Sequence, residues 1–373
     1  MSAPSPQPGK ARQFRWLLLG FAAALLACTF VSWHAAGKAP VQPVSGGTFL
    51  GYDVAGHLVR VHLFELDHTY LGHGWQGWLY REGQGRADFF FPPQRHSPWR
   101  AKAEARELDD GREPPESFIA ATADPRELQA TLPRLGAWGN DTTALHREFE
   151  HWQFRRRAGL RLGRLGGTQE YLAQFPHLPA TNAFHAALNR EIIAQCETAA
   201  AEFTSEPFSF WKDMVQMRDL PGFNEYTLSA NWQLRWLTTN LASFYVWSYD
   251  ETGGNGNHSH FHGANFLATA DGLRELTLAE LFRPEVDWRS ELRTRCVPKL
   301  KADGAPTSAM EQVIQPDTAV DTFTLSPTGL QLIFNPYAIA SGAEGEFVVH
   351  FDYAELKELL RPTGPAALLP RRE

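Results

Sequence analysis

Three histidines alternate with other residues in Asn257-His258-Ser259-His260-Phe261-His262-Gly263. On a strand, side chains two apart share a face, so His258, His260 and His262 form one row while Phe261 turns to the core. Neutral imidazole is a ligand for zinc and copper, and this row is the candidate metal site of the chain. It supports one reading of the protein as a metal-binding protein or a metal-dependent hydrolase. A straight strand spaces alternate residues roughly 7 Å apart, too far for three rings to reach one ion. Such a site therefore needs a bend, which Gly253-Gly254-Asn255-Gly256 can supply. The competing reading is a set of polar residues on an exposed strand or loop.

Other chemistry-bearing stretches fail on spacing. His146-Arg147-Glu148-Phe149-Glu150-His151 spells neither H-E-x-x-H nor H-x-x-E-H, so the arrangement that puts two histidines and a glutamate on one helix face is missing. There is no G-x-S-x-G, no P-loop and no C-x-x-C. Asp250 and Glu251 are adjacent, and neighbours on a strand point to opposite faces, so they cannot act as an acid–base pair. No catalytic residue is assigned, and a non-enzymatic role is expected.

Neighbouring strands and helices must position the histidine row. Residues 241–249 alternate with both faces apolar, which predicts a central strand covered on each side. Residues 226–236 read as a second strand, 181–203 as a helix with a small, partly apolar face, 273–282 as a turn, and 288–300 as a helix carrying Cys296. Near the C-terminus Phe323 and Leu325 alternate with polar residues. Ser326-Pro327-Thr328-Gly329 then supplies turn chemistry, and Leu330, Leu332 and Phe334 alternate again, the pattern of a hairpin. Asn335-Pro336-Tyr337 ends that strand, because proline has no N–H for the ladder. Phe347, Val349 and Phe351 form a third run, and Asp352 reads as the N-cap of a short helix over 353–360.

The N-terminal half is strand-like. Residues 58–65, 75–80 and 87–91 make short runs punctuated by Gly72, Gly74, Gly77, Gly83 and Gly85, which predicts a small antiparallel β-rich module over 48–165. Five arginines fall within residues 155–164. They read as a solvated strand or loop between domains, or as a grip for anionic glycans or lipid head groups. Glycines at 163, 166 and 167 mark the junction.

At 373 residues, with 43% hydrophobic and 12% aromatic residues, the chain can build two folded domains. A net charge of −7 gives no general case for nucleic acid as partner. Residues 16–33 carry no charge and follow Lys10, Arg12 and Arg15. This predicts a transmembrane signal anchor with a cytoplasmic tail at 1–15, a linker at 34–47 and the bulk of the chain outside the cytoplasm. Two alternatives stay open: a cleaved signal peptide, and a lipobox ending in Cys28, against which the apolar run 29–33 counts. In an oxidising compartment Cys196 and Cys296 are a candidate disulfide, the alternative being two separate buried thiols.

The C-terminal wording resembles a known family. Phe323, Leu325, Gly329, Leu330, Phe334 to Tyr337, Ile339, Ala340, Gly345, Tyr353 and Leu356 follow the order of the bacterial domain of unknown function DUF3298. Trp247 to Gly254, Asn265-Phe266 and Leu278 to Phe282 extend the likeness upstream. This domain is the outer part of RsiV-type anti-sigma factors and of some peptidoglycan deacetylases. The resemblance implies an α+β domain with antiparallel sheet and flanking helices over 168–362, followed by a tail at 363–373. It also implies lysozyme or a peptidoglycan fragment as ligand. Relatives commonly read Thr-Gly-Gly-Ala-His where this chain has Thr252-Gly253-Gly254-Asn255-Gly256, so the usual histidine is absent. The fifteen residues before the anchor are too few for a sigma-binding segment, and the deacetylases' catalytic domain has no counterpart. The resulting expectation is an α+β, membrane-anchored, periplasmic binding or sensing protein of the cell envelope, with a passive envelope scaffold as a further alternative.

Overall fold

The computed structural model describes residues 34–35, 41–44, 46–68, 72–81, 85–91, 100–105, 117–121, 126–133, 140–162, 165–205, 225–252 and 255–370. The expected anchor at 16–33 and Cys28 lie outside them. Among the described residues no helix is long and apolar enough to cross a membrane.

After two short pairings, β1 (His34–Ala35) and β2 (Gln42–Pro43), eight strands follow in an antiparallel meander. They are β3 (Gly46–Tyr52), β4 (Leu58–His68), β5 (Gly72–Arg81), β6 (Gly85–Phe91), β7 (Arg100–Ala105), β8 (Ser117–Ala121), β9 (Glu127–Pro133) and β10 (Asn140–Leu162). β10 pairs with both β9 and β3, so the eight close into a barrel without a free edge. Phe49, Val59, Val61, Leu63, Leu79, Leu128, Ala130, Leu132 and Leu145 form its apolar core. The buried pair of Arg81 Nη2 and Asp53 Oδ2, 2.5 Å apart, lies where β3 ends.

The barrel and the sheet that follows it share strand β10. Its first part belongs to the barrel, and from Glu150 onward it pairs with β11 (Leu165–His177). The register shifts between Arg147 and Phe149 as the strand passes from one body to the other. β2 pairs with this same strand at Trp152 and Gln153, so part of the expected linker is sheet. Arg155 and Arg157 sit on β10, and both bond Glu170 across the ladder. Burial alone raises a carboxyl's pKa, and these two guanidinium groups override it and leave Glu170 lowered.

The sheet continues through β12 (Glu225–Leu237), β13 (Leu241–Thr252), β14 (Asn255–Thr269) and β15 (Gly272–Glu275). The β11–β12 contact is parallel, because helix α1 (Ala183–Ser205) carries the chain back between them. Asn182 caps α1 by accepting from the His185 N–H at 2.8 Å. Phe184, Leu188, Ile192, Cys196 and Ala200 recur every four residues, making a stripe that packs on Phe175, Trp232, Phe244 and Phe266.

The opposite face of β13 and β14 is covered by a second sheet, β16 (Phe323–Leu325), β17 (Gly329–Phe334) and β18 (Phe347–Asp352). Helices α2 (Trp288–Ala302) and α3 (Thr307–Val313) join it in one core. Ser243 Oγ donates to Asn265 Oδ1 at 2.6 Å and accepts from the Leu325 N–H at 2.8 Å, while Asn265 Nδ2 donates to the Phe323 carbonyl at 2.9 Å. A Cβ on Gly263 would lie 1.6 Å from that carbonyl, so only glycine lets the sheets approach this closely.

Two expectations are corrected. The helix over 353–360 is instead a run of turns. Its N–H groups bond mostly three residues back, Glu355 to Asp352 at 3.0 Å, Leu356 to Tyr353 at 3.2 Å and Leu359 to Leu356 at 2.9 Å, and Tyr353, Leu356 and Leu359, three apart, are the residues it buries in the core. The disulfide is not formed. Cys196 and Cys296 are free and buried, the first in the core beneath α1 and the second in the core of α2 and the small sheet. Burial pushes both thiols up to about 12.

Candidate functional site

The structure places the three histidines on one strand, β14, whose partners on β13 are Asp250 for His258, Ser248 for His260 and Val246 for His262. The side chain of His258 lies outside the described residues. His260 is exposed. His262 is also exposed and meets Trp232 edge-on at 6.4 Å. Among the described residues no three His, Cys, Asp or Glu side chains converge where a metal ion could sit. His146 and His151 are separated by the strand: His146 is exposed beside Glu127 at 3.3 Å, and His151 is buried.

Between His260 and His262 the backbone of Phe261 leads to a different site. β15 pairs with β14 only from Phe266 to Thr269, which leaves the outer edge of β14 open at Phe261. Asn335, at the end of β17, covers that edge with its side chain. Its Oδ1 accepts from the Phe261 N–H at 2.6 Å and its Nδ2 donates to the Phe261 carbonyl at 2.9 Å, so one amide substitutes for a strand rung.

The chain then turns through Pro336 into Tyr337, the one non-glycine residue with positive φ among the described residues, at 69°. For a bulky residue this conformation is an outlier that costs on the order of 1–3 kcal/mol and persists only where the surroundings hold it. The surroundings here are specific. Asn335 pins one side, and the Ala338 N–H bonds the Asn335 carbonyl at 2.9 Å. On the other side Ser341 and Glu344 form a capping box, with Glu344 Oε2 accepting from the Ser341 N–H at 2.9 Å and from its hydroxyl at 3.1 Å. A Cβ on Gly342 would lie 2.1 Å from Tyr337 Cζ, so the ring rests on a bare backbone. Tyr337 remains 72% exposed. The result is a fixed backbone whose aromatic side chain leans on Gly342 and otherwise faces solvent.

Sequence reasoning placed Asn335-Pro336-Tyr337 as the end of a strand and as part of the family wording, with no binding role. The available signal was an aromatic directly after Asn-Pro with a glycine five residues on; the positive φ and the exposure belong to the folded loop.

The architecture defines an α+β protein in which a closed barrel is joined by a shared strand to a helix-covered antiparallel sheet. The chain carries a DUF3298 domain: residues 279–354 match the model of that family, described as a protein of unknown function. Two crystal structures of DUF3298 family proteins are similar. One, from Bacteroides fragilis, is 15% identical and has a TM-score of 0.41, the match covering 57% of this chain and 94% of that one. The other, from Pseudomonas aeruginosa PAO1, is 16% identical with a TM-score of 0.39, covering 59% and 97%. No curated protein matches.

Proposed function

We propose that this is a non-enzymatic binding or sensing protein of the bacterial cell envelope, anchored by residues 16–33 with its folded part in the periplasm. The observation that carries the reading is Tyr337: strained, clamped on both sides and 72% exposed. Exposed aromatics that are already ordered are the usual anchors of protein–protein contacts, since little side-chain freedom is lost on binding. The net charge of −7 favours a basic partner. A lysozyme has that charge, and it is the ligand that the family resemblance implies; a peptidoglycan fragment is the second candidate.

The test is capture of immobilised chain by lysozyme and by peptidoglycan fragments, each repeated with Tyr337→Ala. Binding of lysozyme that drops at least tenfold in the variant supports the proposal. Absence of binding to either probe, or equal binding by the variant, removes it. A metal carrier built on His258, His260 and His262 predicts instead stoichiometric zinc or copper in purified protein that is lost in His260→Ala.

A further inference from the structure

The outer face of the barrel meets the sheet across a seam of buried polar side chains. Thr48 on β3 stands between His62 on β4 and His151 on β10, its hydroxyl 3.2 Å from His62 Nδ1 and 2.8 Å from His151 Nε2. The two rings stack at 6.0 Å and are 1% and 2% exposed. Their remaining nitrogens, His62 Nε2 and His151 Nδ1, make no hydrogen bond among the described residues and have no solvent contact. Across the seam on β12 the same holds for Asn231 Nδ2 and for both amide atoms of Gln233, which is 1% exposed.

Cations border the rings. Arg60 Nη1 donates to the carbonyls of Leu234 and Arg235, at 3.0 and 2.8 Å, tying barrel to sheet. Arg235 lies over the Tyr245 ring of β13 at 4.8 Å. The carboxylates of β10 nearby are Glu148, 3.8 Å from Arg60, and Glu150, which pairs with Arg147 at 3.7 Å. A His151 imidazolium would carry an Nδ1–H with no acceptor among the described residues, and a His62 imidazolium would meet the Leu234 carbonyl, which favours it, but also the charges of Arg60 and Arg235, in a place that water does not reach. Burial accordingly holds both imidazoles neutral, His151 down to about 3 and His62 well below its usual range, with His151, Arg60 and Arg235 adding to the effect at His62.

We propose that this seam is an acid-released clasp: protons reach His62 and His151 only when the barrel face lifts from the sheet, so acidification favours the lifted state. β10 supplies the hinge, since it runs through both bodies and its register shifts between Arg147 and Phe149. The sign follows from linkage. The lifted state binds protons with an ordinary histidine affinity, near 6.5, and the docked state does not, so docking is unaffected above that pH and weakens below it. Each histidine contributes up to about tenfold in the opening constant per pH unit, the pair up to about a hundredfold.

The experiment uses the full chain carrying Cys28→Ser and Gln233→Cys, a replacement that removes no hydrogen bond of Gln233 among the described residues. Labelling by a dithiodipyridine reagent, which reacts at acid pH, is followed from pH 7.5 to 5 and corrected against a model thiol. The expected result is a labelling rate at position 233 that rises steeply below about pH 6.5 while Cys196 and Cys296 stay unlabelled. Adding His62→Asn and His151→Gln, which keep the nitrogens facing Thr48 and do not titrate, should flatten the profile, and His151→Gln alone should roughly halve its logarithmic slope. Asn231→Cys reports on the same seam if Gln233→Cys does not fold. A flat profile in the parent overturns the clasp. So does a slope unchanged in the double variant, or labelling of Cys196 and Cys296 in step with position 233.

Discussion

Tyr337 shows how a single residue can be identified from its backbone before its partner is known. Asparagine tolerates the left-handed region far better than tyrosine. Tyr337→Asn is therefore expected to keep thermal stability within about 1 kcal/mol of the parent, or to raise it, while abolishing capture by the ligand; calorimetry and a binding assay on the same preparation read the two effects. Gly342→Ala makes the converse case. The added methyl lies 2.1 Å from the ring, so the ring must leave its seat, and binding is expected to fall about tenfold with the far-ultraviolet dichroism unchanged. The two buried cysteines give a third expectation. With thiols pushed up to about 12 and lying in separate cores, neither reacts with a thiol reagent at pH 8 until the protein is denatured, and reductant leaves the melting temperature unchanged.

At the scale of elements, the two sheets are joined by a few side chains that act as backbone. Asn335 replaces a strand rung at Phe261, and Ser243 with Asn265 ties β13 and β14 to β16. Asn335→Ala leaves the Phe261 N–H without its acceptor, which costs about 1–3 kcal/mol. The measurement is a denaturant midpoint together with faster amide exchange at Phe261 than in the parent. Gly263→Ala, with a methyl directed at the Phe323 carbonyl, separates the sheets and is expected to destabilise by more than about 3 kcal/mol. The run 353–360 belongs to this scale too. Its apolar residues fit a helix, but the three it buries, Tyr353, Leu356 and Leu359, lie three apart, and packing them on the core favours bonds to the carbonyl three residues back over a continuous helical ladder.

For the whole molecule, two pH windows are expected. The first is the lifting of the barrel below about pH 6.5, worth up to about 1.4 kcal/mol per pH unit for each histidine. The second lies lower. Burial alone would raise the Asp53 pKa, and the bonds from Arg81 and His57 bring it down to about 2. A depressed carboxyl contributes stability above its ordinary value of 3.8 that is lost as pH falls toward 2. Acid titration followed by intrinsic fluorescence should therefore show two separate transitions, and Asp53→Asn should remove the lower one only.

Periodicity alone determined much of the chain: the strands read at 226–236 and 241–249, the hairpin at 323–334 and the helices read at 181–203 and 288–300 all lie on observed elements, because spacings of two and four are contained in any local window. The C-terminal words were sufficient for the family. Only the tertiary structure decided that eight strands close into a barrel, that the last of them, 23 residues long, serves two bodies, that the cysteines lie apart and that Tyr337 is strained outward. The physical reason is common to all four. Closure, shared strands, thiol separation and clamped loops depend on contacts between residues far apart in sequence, and a single position's side chain carries no record of which distant partner will reach it.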